Sequence, residues 1–263
     1  EFDNASTELR VIRKAETVLQ KRTNRIILVL ERPTDPRNKQ AVLRTVECFG
    51  IQHVWTVLPP EEKVESSRNK LKEGEASSIG RSSLPWLTQR EFCTTSECIE
   101  ALRAEGVAIW ATDLSQAAVP LGGAALGAVP PRVAIVMGRE ADGVSPEMLE
   151  AADKRVYLPL WGFTESLNLS VATALVVQRV MLLMGPKRGQ LPAEEMAGLR
   201  REWYRLLAKT DAHWAAYEPR INDPPPPFGD VRCPEEHRVP YVRPSVRKRQ
   251  EAKEAQLKLQ VVR

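Results

Sequence analysis

Apolar residues occur along this chain in two alternating patterns. Short continuous runs rich in β-branched residues predict strands at residues 25–30, 54–57, 107–112, 133–137 and 155–158, with another short one at 84–87. Helical spacing of apolar residues between these runs predicts helices at residues 38–49, 95–106 and 168–183, and a short one after Ser145. Strands that alternate with helices predict an α/β fold with a mostly parallel sheet and helices on both faces.

Three helix starts are indicated by side chains that can accept hydrogen bonds from backbone N–H groups. Ser145 is followed by proline, which is typical of an N-cap. Thr95 or Ser96 is expected to cap the helix that ends near Gly106. Asn38 has the residue type of an N-cap for the helix that ends at Gly50.

Both ends of the chain lie outside this alternation. Residues 6–22 have the spacing of an amphipathic helix, and a further helix is indicated by Leu199, Trp203, Leu206 and Leu207. A proline-rich linker at residues 222–233 then leads into a polar tail. We therefore divide the chain into an N-terminal helical extension (1–23), a core domain (24–184), a C-terminal helical extension (185–220) and a linker with a basic tail (221–263).

The composition argues against several classes of protein. With 263 residues, 43% hydrophobic and 27% charged, the chain is typical of a globular protein of one or two domains. No stretch approaches the roughly 18 uncharged apolar residues that a membrane-spanning helix needs. Four cysteines without a C-x-x-C pair and three histidines make zinc fingers and disulfide frameworks poor interpretations, so we expect neither a metal nor a membrane partner. We expect a cytoplasmic protein, or an organellar one if a targeting segment precedes Glu1.

Positive charge is concentrated near the two ends of the chain. Residues 238–263 have a net charge of +6 and residues 10–44 of +7, whereas the whole chain has only +4, so the middle is acidic. Basic segments of this kind suit a polyanionic partner. For the tail, a solvated segment without a function is the alternative. Deletion of residues 238–263 separates the two, because an electrostatic role predicts weaker binding with a flatter salt dependence.

Polar residues interrupt the predicted elements in three places. Asn38 and Arg44 lie on the helix after the first strand. The start of this helix points to the carboxyl edge of the sheet, where ligands bind in open α/β folds. Gly138 directly follows a strand, where it permits either a tight turn or the close approach of a ligand. Ser166 and Asn168 lie between a strand and the most hydrophobic helix. None of the three is a dinucleotide-binding or Walker phosphate loop.

Together these segments resemble the three motifs of the SpoU/TrmH branch of the SPOUT methyltransferases. The matching stretches read NKQAVLRT from Asn38, MGREADGVS from Met137 and LPLWGFTESLNLSVA from Leu158, in the family's order and at similar separations. The resemblance covers residues 24–184 and is greatest to the members of the branch that methylate a tRNA guanosine. Lys39 and Gln40 depart from the usual pattern, as do the bulky Trp161 and Phe163, which leaves the substrate preference open.

The resemblance implies a fold, a cofactor and an assembly. The fold is a parallel α/β sheet with a deep trefoil knot in its C-terminal part, although knots are rare among proteins. The cofactor is S-adenosylmethionine, held in the knot largely by backbone groups at Thr112, Gly138, Leu158 and Leu167. Members act as homodimers, and the apolar face of the helix at 168–183 is a candidate interface element, with burial in the chain's own core as the alternative.

The reaction implied by the resemblance is transfer of a methyl group to a ribose 2′-hydroxyl, here preferentially that of the tRNA D-loop guanosine. Family precedent assigns activation of the hydroxyl to Arg44. Because arginine keeps its proton up to a pKa above about 12, we expect Arg44 to hold the adjacent phosphate and stabilise the forming alkoxide. Asn38, Ser166 and Asn168 would orient Arg44 and that phosphate. Glu140 would balance the positive charge of the cofactor or order the neighbouring loop. The alternative is that Glu140 is an acidic residue of the surface near a helix.

Two other functions stay open at this point. One is methylation of ribosomal RNA or of the tRNA anticodon loop by a member of the same branch, which mapping of the modified nucleotide distinguishes. The other is an RNA-binding module without catalysis, which the basic ends of the chain would also suit and which a lack of cofactor binding would favour.

Overall fold

The computed structural model describes residues 4–59, 84–185 and 191–229. Seven strands of these residues form one sheet: β1 (Thr23–Glu31), β2 (Ile51–Val57), β3 (Thr88–Phe92), β4 (Ala108–Thr112), β5 (Val119–Pro120), β6 (Val133–Met137) and β7 (Lys154–Tyr157). Their order is β3-β2-β1-β6-β4-β7-β5, and all neighbouring pairs are parallel. The predicted parallel α/β fold is confirmed, and the trefoil knot stays a prediction.

The helices of the described residues connect and flank these strands. Their bounds are α1 (Asn4–Leu19), α2 (Pro36–Cys48), α3 (Thr95–Ala104), α4 (Pro146–Ala151), α5 (Leu169–Met184), α6 (Ala193–Leu207) and α7 (Asp211–Tyr217). Short 3₁₀ turns occur at Leu84–Trp86, Ala124–Leu126 and Glu218–Ile221. No helix in this part of the chain combines the length and apolar character that crossing a bilayer requires.

The sheet is covered on both faces, because its central strands alternate their apolar side chains between two cores. In β1, Ile26, Leu28 and Leu30 point into one core, and Ile27 and Val29 point into the other. Helices α2 and α5 close the first core, whereas α3 and α4 close the second. Continuous apolar runs such as residues 25–30 therefore mark strands that are buried on both sides.

A third apolar cluster joins the two ends of the described chain. Helix α1 packs against α6 and α7 through Ile12, Leu19, Trp203, Tyr204 and Tyr217, which are all buried. The cluster also holds a buried carboxylate, Glu16, which accepts hydrogen bonds from the Arg200 guanidinium and the Tyr204 hydroxyl. We call this assembly the helical cluster.

Several local predictions are wrong, each for a physical reason. The predicted strand at residues 84–87 is instead a 3₁₀ turn at Leu84–Trp86, because Pro85 lacks the N–H group of a strand ladder, and the strand follows as β3. Helix α3 is capped by Thr94 in a capping box with Glu97, so Thr95 is its first residue. In α6, Leu206 is half exposed and Tyr204 takes the buried position. The short β5 and α7 were not anticipated, and the basic tail lies outside the described residues.

Candidate active site

A cavity of about 580 Å³ opens at the carboxyl ends of β4, β6 and β7, within the size range of small-molecule sites. It is the place where ligands bind in open α/β sheets. The four residues expected to hold the cofactor, which come from separate segments of the sequence, all line it: Thr112, Gly138, Leu158 and Leu167. Glu140 and Ser166 line it as well.

The lining combines an apolar wall with an excess of negative charge. The wall includes Leu114, Met137, Val156, Leu160 and Val176. The charged side chains of the lining are four carboxylates and one guanidinium, a formal charge of −3: Asp113, Glu140, Asp142, Glu165 and Arg139. Such a cavity suits a ligand with a flat apolar part and a cationic part. Among the described residues, no group of three or more histidine, cysteine, aspartate or glutamate side chains could hold a metal ion.

The β4 side of the cavity is held in place by side-chain hydrogen bonds. The Thr112 hydroxyl donates to the carbonyl of Val136 at 3.0 Å, which joins the ends of β4 and β6. Asp113 accepts from the backbone N–H of Ser115 at 3.1 Å and lies 3.8 Å from the guanidinium of Arg155. The donor of the Thr112 hydroxyl is thus already used within the protein.

The loop after β6 folds back on itself beside the cavity. Arg139 and Gly143 exchange backbone hydrogen bonds of 3.1 and 2.9 Å, and Gly143 has a φ of 66°, which favours glycine. A Cβ atom at Gly138 would collide with the backbone of Gly143 and Val144. Of the two interpretations of Gly138, the tight turn therefore explains the glycine. The Arg139 guanidinium also pairs with Asp142, three residues along the same loop.

Asn38 is not the N-cap of α2, contrary to the interpretation of its residue type. The cap is Asp35, whose carboxylate accepts from the backbone N–H of Arg37 at 2.8 Å, and Pro36 is the first helical residue. Proline fits this position because it has no N–H to satisfy there. The side chain of Asn38, in the first turn, is therefore available for contacts with other segments.

A chain of hydrogen bonds links all three sequence motifs. The Asn168 side-chain oxygen accepts from the N–H and hydroxyl of Ser170 at 2.9 and 2.6 Å, as the N-cap of α5. The Asn168 amide nitrogen donates to Oδ1 of Asn38 at 3.1 Å. The Asn38 amide nitrogen in turn donates to the carboxylate of Glu140. We call this arrangement the amide chain.

The direction of every bond in the amide chain is fixed from both ends. A backbone N–H can only donate, so the atom of Asn168 that faces Ser170 must be its oxygen. An ionised carboxylate can only accept, so the atom of Asn38 that faces Glu140 must be its nitrogen. The two amides then meet nitrogen to oxygen, which is the observed pairing. The chain therefore fixes the two amide groups in a single orientation.

Arg44 stands apart from these groups within one chain. It follows Asn38 by six residues on α2, which turns it by about 240° around the helix axis. Its side chain is exposed, does not line the cavity, and forms no hydrogen bond or ion pair with another described residue. One chain thus brings Asn38, Asn168 and Glu140 together, and Glu140 and Ser166 line the same cavity, whereas Arg44 does not.

The surface near the cavity has exposed apolar side chains. Along α5, the side facing away from the core presents Val171, Leu175, Leu182 and Leu183, which are 40–59% exposed. The opposite side of the same helix is buried in the core of its own chain. In the loop before α5, Trp161 and Phe163 are almost fully exposed. Burial in the chain's own core is thus observed for one side of α5, and the interface interpretation of its exposed side stays a prediction.

Sequence reasoning missed Ser170 and Asp35. Asp35 could have been found from the Asp-Pro pair, since proline at the first helical position places the cap one residue earlier. Ser170 could have been found from the Asn-x-Ser spacing, which suits a side-chain turn at a helix start.

Comparison with known proteins gives a consistent result. A model of the SpoU rRNA Methylase family matches residues 25–178. A tRNA (guanosine(18)-2′-O)-methyltransferase of Borreliella burgdorferi is 30% identical over 198 residues, which cover 74% of this chain and 85% of that relative. A 23S rRNA (guanosine-2′-O-)-methyltransferase of Neisseria meningitidis is 30% identical over 157 residues, which cover 58% of this chain and 56% of that relative.

A solved structure shows the same fold. The TrmH/SpoU tRNA modifying enzyme of A. aeolicus matches with a TM-score of 0.61 and 24% sequence identity, over 78% of this chain and 99% of that one. The match covers more of this chain than the 154 residues of the family model.

Proposed function

The chain belongs to the SpoU rRNA Methylase family, and we propose that it methylates the 2′-hydroxyl of a tRNA guanosine with S-adenosylmethionine as the methyl donor. By analogy with the Borreliella burgdorferi relative, the methylated nucleotide is guanosine 18. The observation that carries the proposal is the meeting of three motifs at one edge of the sheet, where the amide chain borders an acidic cavity.

The lining of the cavity fits this donor. S-adenosylmethionine has an apolar adenine and a cationic sulfonium, which suit the apolar wall and the excess of carboxylates. Backbone groups at Thr112, Gly138, Leu158 and Leu167 would hold it, and when bound it supplies an activated methyl group. The folded-back loop at 138–143 gives the backbone of Gly138 a fixed position.

Arg44 is the residue we assign to the ribose side of the reaction. Its guanidinium is exposed and not engaged by other described side chains, so it is available to a phosphate. A planar guanidinium binds a phosphate through paired hydrogen bonds and stabilises the negative charge that forms on the 2′-oxygen as its proton leaves. The proton would pass to the phosphate or to solvent, because the arginine itself stays protonated.

The amide chain and Ser166 have positioning roles in this proposal. Asn38 and Asn168 hold each other in one orientation, and Glu140 anchors the chain to the loop that lines the cavity. The carboxylate of Glu140 also contributes negative charge where a cationic donor binds. Ser166 lines the cavity and can offer its hydroxyl to the substrate phosphate.

We further propose that the active form is a homodimer. In one chain, Arg44 does not line the cavity, so the site needs this residue from elsewhere. Helix α2 packs against α5, whose outer side exposes a row of apolar side chains. A second copy that covers this row would bring the partner subunit's Arg44 near the cavity and complete the site.

Methyl transfer is tested with an unmodified tRNA transcript and labelled S-adenosylmethionine, followed by mapping of the labelled nucleotide. We expect one ribose methyl group, at guanosine 18. Label at no ribose would contradict the proposal. Label at another position would keep the reaction and change the substrate.

The shared site is tested by mixing two inactive variants, Arg44→Ala and Leu167→Arg, after dissociation and reassembly. In a mixed dimer with a shared site, one site contains both substitutions and the other contains neither, so activity returns. If each chain forms its own complete site, both sites stay defective and no activity returns. Sedimentation of the wild type gives the assembly state independently.

The Neisseria meningitidis relative favours a second candidate, methylation of ribosomal RNA. That relative is matched over only 56% of its length, whereas the tRNA-methylating relative is matched over 85%. We therefore rank tRNA first, and the same labelling experiment with a ribosomal RNA fragment separates the two.

A further inference from the structure

Glu31 is a buried carboxylate that the proposed reaction does not use. It is the last residue of β1, and its side chain is fully buried. Burial of a carboxylate is unfavourable unless hydrogen bonds satisfy its oxygens, so its surroundings need an explanation. Glu31 lies at the carboxyl edge of the sheet, the same edge as the cavity.

Three hydrogen bonds connect Glu31 to two other segments. Its Oε2 accepts from the backbone N–H of Ser145 at 2.7 Å, and its Oε1 accepts from the Ser145 hydroxyl at 2.5 Å. Oε1 also accepts from the hydroxyl of Thr95, the first residue of α3, at 2.8 Å. Burial raises the pKa of the nearby Cys98 thiol to about 12, and the Glu31 carboxylate adds to this rise.

Ser145 ends the loop that lines the cavity. Its hydroxyl also accepts from the backbone N–H of Met148 at 3.2 Å as the N-cap of α4. The start of α4 and the end of the loop are therefore fixed to the same carboxylate. At the other end of this loop, β6 pairs with β1, so the loop is attached to β1 at both of its ends.

Glu31 thereby connects the two segments that meet in the amide chain. Its backbone leads within seven residues to Asn38, and its carboxylate holds Ser145, five residues after Glu140. Asn38 and Glu140 can form their hydrogen bond only if the start of α2 and the loop keep a constant separation. A rigid link at the end of β1 supplies this constraint.

We propose that Glu31 is a positioning residue that fixes the loop at 138–145 and, through it, the cofactor-binding cavity. The part of this inference that concerns S-adenosylmethionine rests on the proposed function. The hydrogen bonds to Ser145 carry the effect, whereas the bond to Thr95 only attaches α3.

The first experiment compares Glu31→Gln with Glu16→Gln. Glu16 is a suitable control because it is also buried, also accepts three hydrogen bonds, and lies in the helical cluster. We expect both variants to lose stability in denaturant unfolding. Only Glu31→Gln should raise the dissociation constant for S-adenosylmethionine, by about 10-fold or more, because a displaced loop no longer presents its backbone groups correctly.

A second pair of variants separates the two arms of the same carboxylate. Ser145→Ala removes the hydroxyl bond to Glu31 together with the N-cap of α4, and Thr95→Val removes the bond toward α3. We expect weaker cofactor binding for Ser145→Ala, by about 3- to 10-fold, and a change below about 2-fold for Thr95→Val. A wild-type cofactor affinity in Ser145→Ala would contradict the proposal even if Glu31→Gln does not fold.

Hydrogen exchange of the ligand-free protein gives a readout that does not depend on the cofactor. Amides of residues 139–145 should exchange at least about 10-fold faster in Glu31→Gln than in Glu16→Gln. If both variants show the same exchange there, or if Ser145→Ala and Thr95→Val bind the cofactor equally well, Glu31 is only structural and the inference is wrong. A wild type that does not bind S-adenosylmethionine would instead contradict the proposed function, while the exchange result would still test Glu31.

Discussion

The cavity edge and the helical cluster are built by different forces. At the cavity edge, short polar side chains from segments far apart in sequence meet in the amide chain, and several of them are exposed. In the helical cluster, large side chains such as Trp203 and Tyr204 are almost completely buried around a satisfied carboxylate. Apolar burial contributes most of the stability of a fold, whereas exposed hydrogen bonds contribute little. Substitutions in the two regions should therefore affect activity and stability separately.

The largest expected effect is that of Arg44→Ala on methyl transfer. We expect a loss of about 10³-fold, because the charge on the 2′-oxygen loses its stabilising partner, with cofactor affinity and unfolding unchanged. Label transfer to tRNA and calorimetric binding of S-adenosylmethionine measure the two quantities. Arg201→Ala, which removes an exposed arginine of the helical cluster, is the control and should keep activity within about 2-fold. Equal losses in both variants would remove Arg44 from the site.

Trp203→Ala tests the opposite half of the comparison. The Trp203 side chain is 2% exposed and packs against Trp86 and the Arg22 guanidinium. Its removal should lower the free energy of unfolding by about 3–5 kcal/mol without changing cofactor affinity in the folded protein. The matched control is Trp161→Ala, since Trp161 is 92% exposed and its loss should change stability by less than about 0.5 kcal/mol. A cofactor affinity that falls with Trp203 would show that the two regions are coupled.

Asn38→Asp changes the amide chain with almost no change in shape. The atom that donates to Glu140 becomes a carboxylate oxygen, so two like charges face each other. We expect methyl transfer to fall by about 10- to 100-fold, with thermal unfolding little changed because the site is exposed. The same substitution at the exposed Asn222 controls for the added charge. An unchanged rate would mean that the amide chain has no part in the reaction.

Ser170→Ala should have the smallest effect of the four. It removes the hydroxyl bond to Asn168, but the backbone N–H still fixes the Asn168 amide. We expect a decrease in transfer rate of about 3-fold, measured beside Ser96→Ala as a control on an exposed serine of α3. A decrease as large as that of Asn38→Asp would show that the hydroxyl, and not the backbone, sets the orientation of the amide chain.

The central elements of the fold could be predicted because each carries its own periodicity. The strand at 133–137 and the capped start of α4 at Ser145 are confirmed as predicted. Predictions failed where a single neighbour decides the local structure. Pro85 excludes a strand, and Thr94 takes the cap because its partner Glu97 lies three residues further along.

The site could be predicted in its residue types but not in its contacts. Asn38 lies 102 residues before Glu140 and 130 before Asn168, so no local pattern reveals that they meet. The sequence also does not reveal that Arg44 lies away from the cavity. This separation depends on the angle around α2 between the side chains of Asn38 and Arg44, and on the path of the loops that form the cavity. Ser170, Asp35 and Glu31 were missed because each acts through the conformation of another residue.

Position 138 lies beside the proposed reaction site, and it accepts only glycine for a steric reason, not because the residue takes part in methyl transfer. The backbone of Gly143 and Val144 occupies the space that any side chain at position 138 would need. When all amino acids are tested at position 138 and active variants are selected for methylation, we expect to recover only glycine. A position that holds a catalytic nucleophile or base would likewise yield only its native residue. Unfolding and cofactor affinity measured on the rejected variants would separate the two cases, because an obstructed turn damages the shape of the pocket before any substrate arrives.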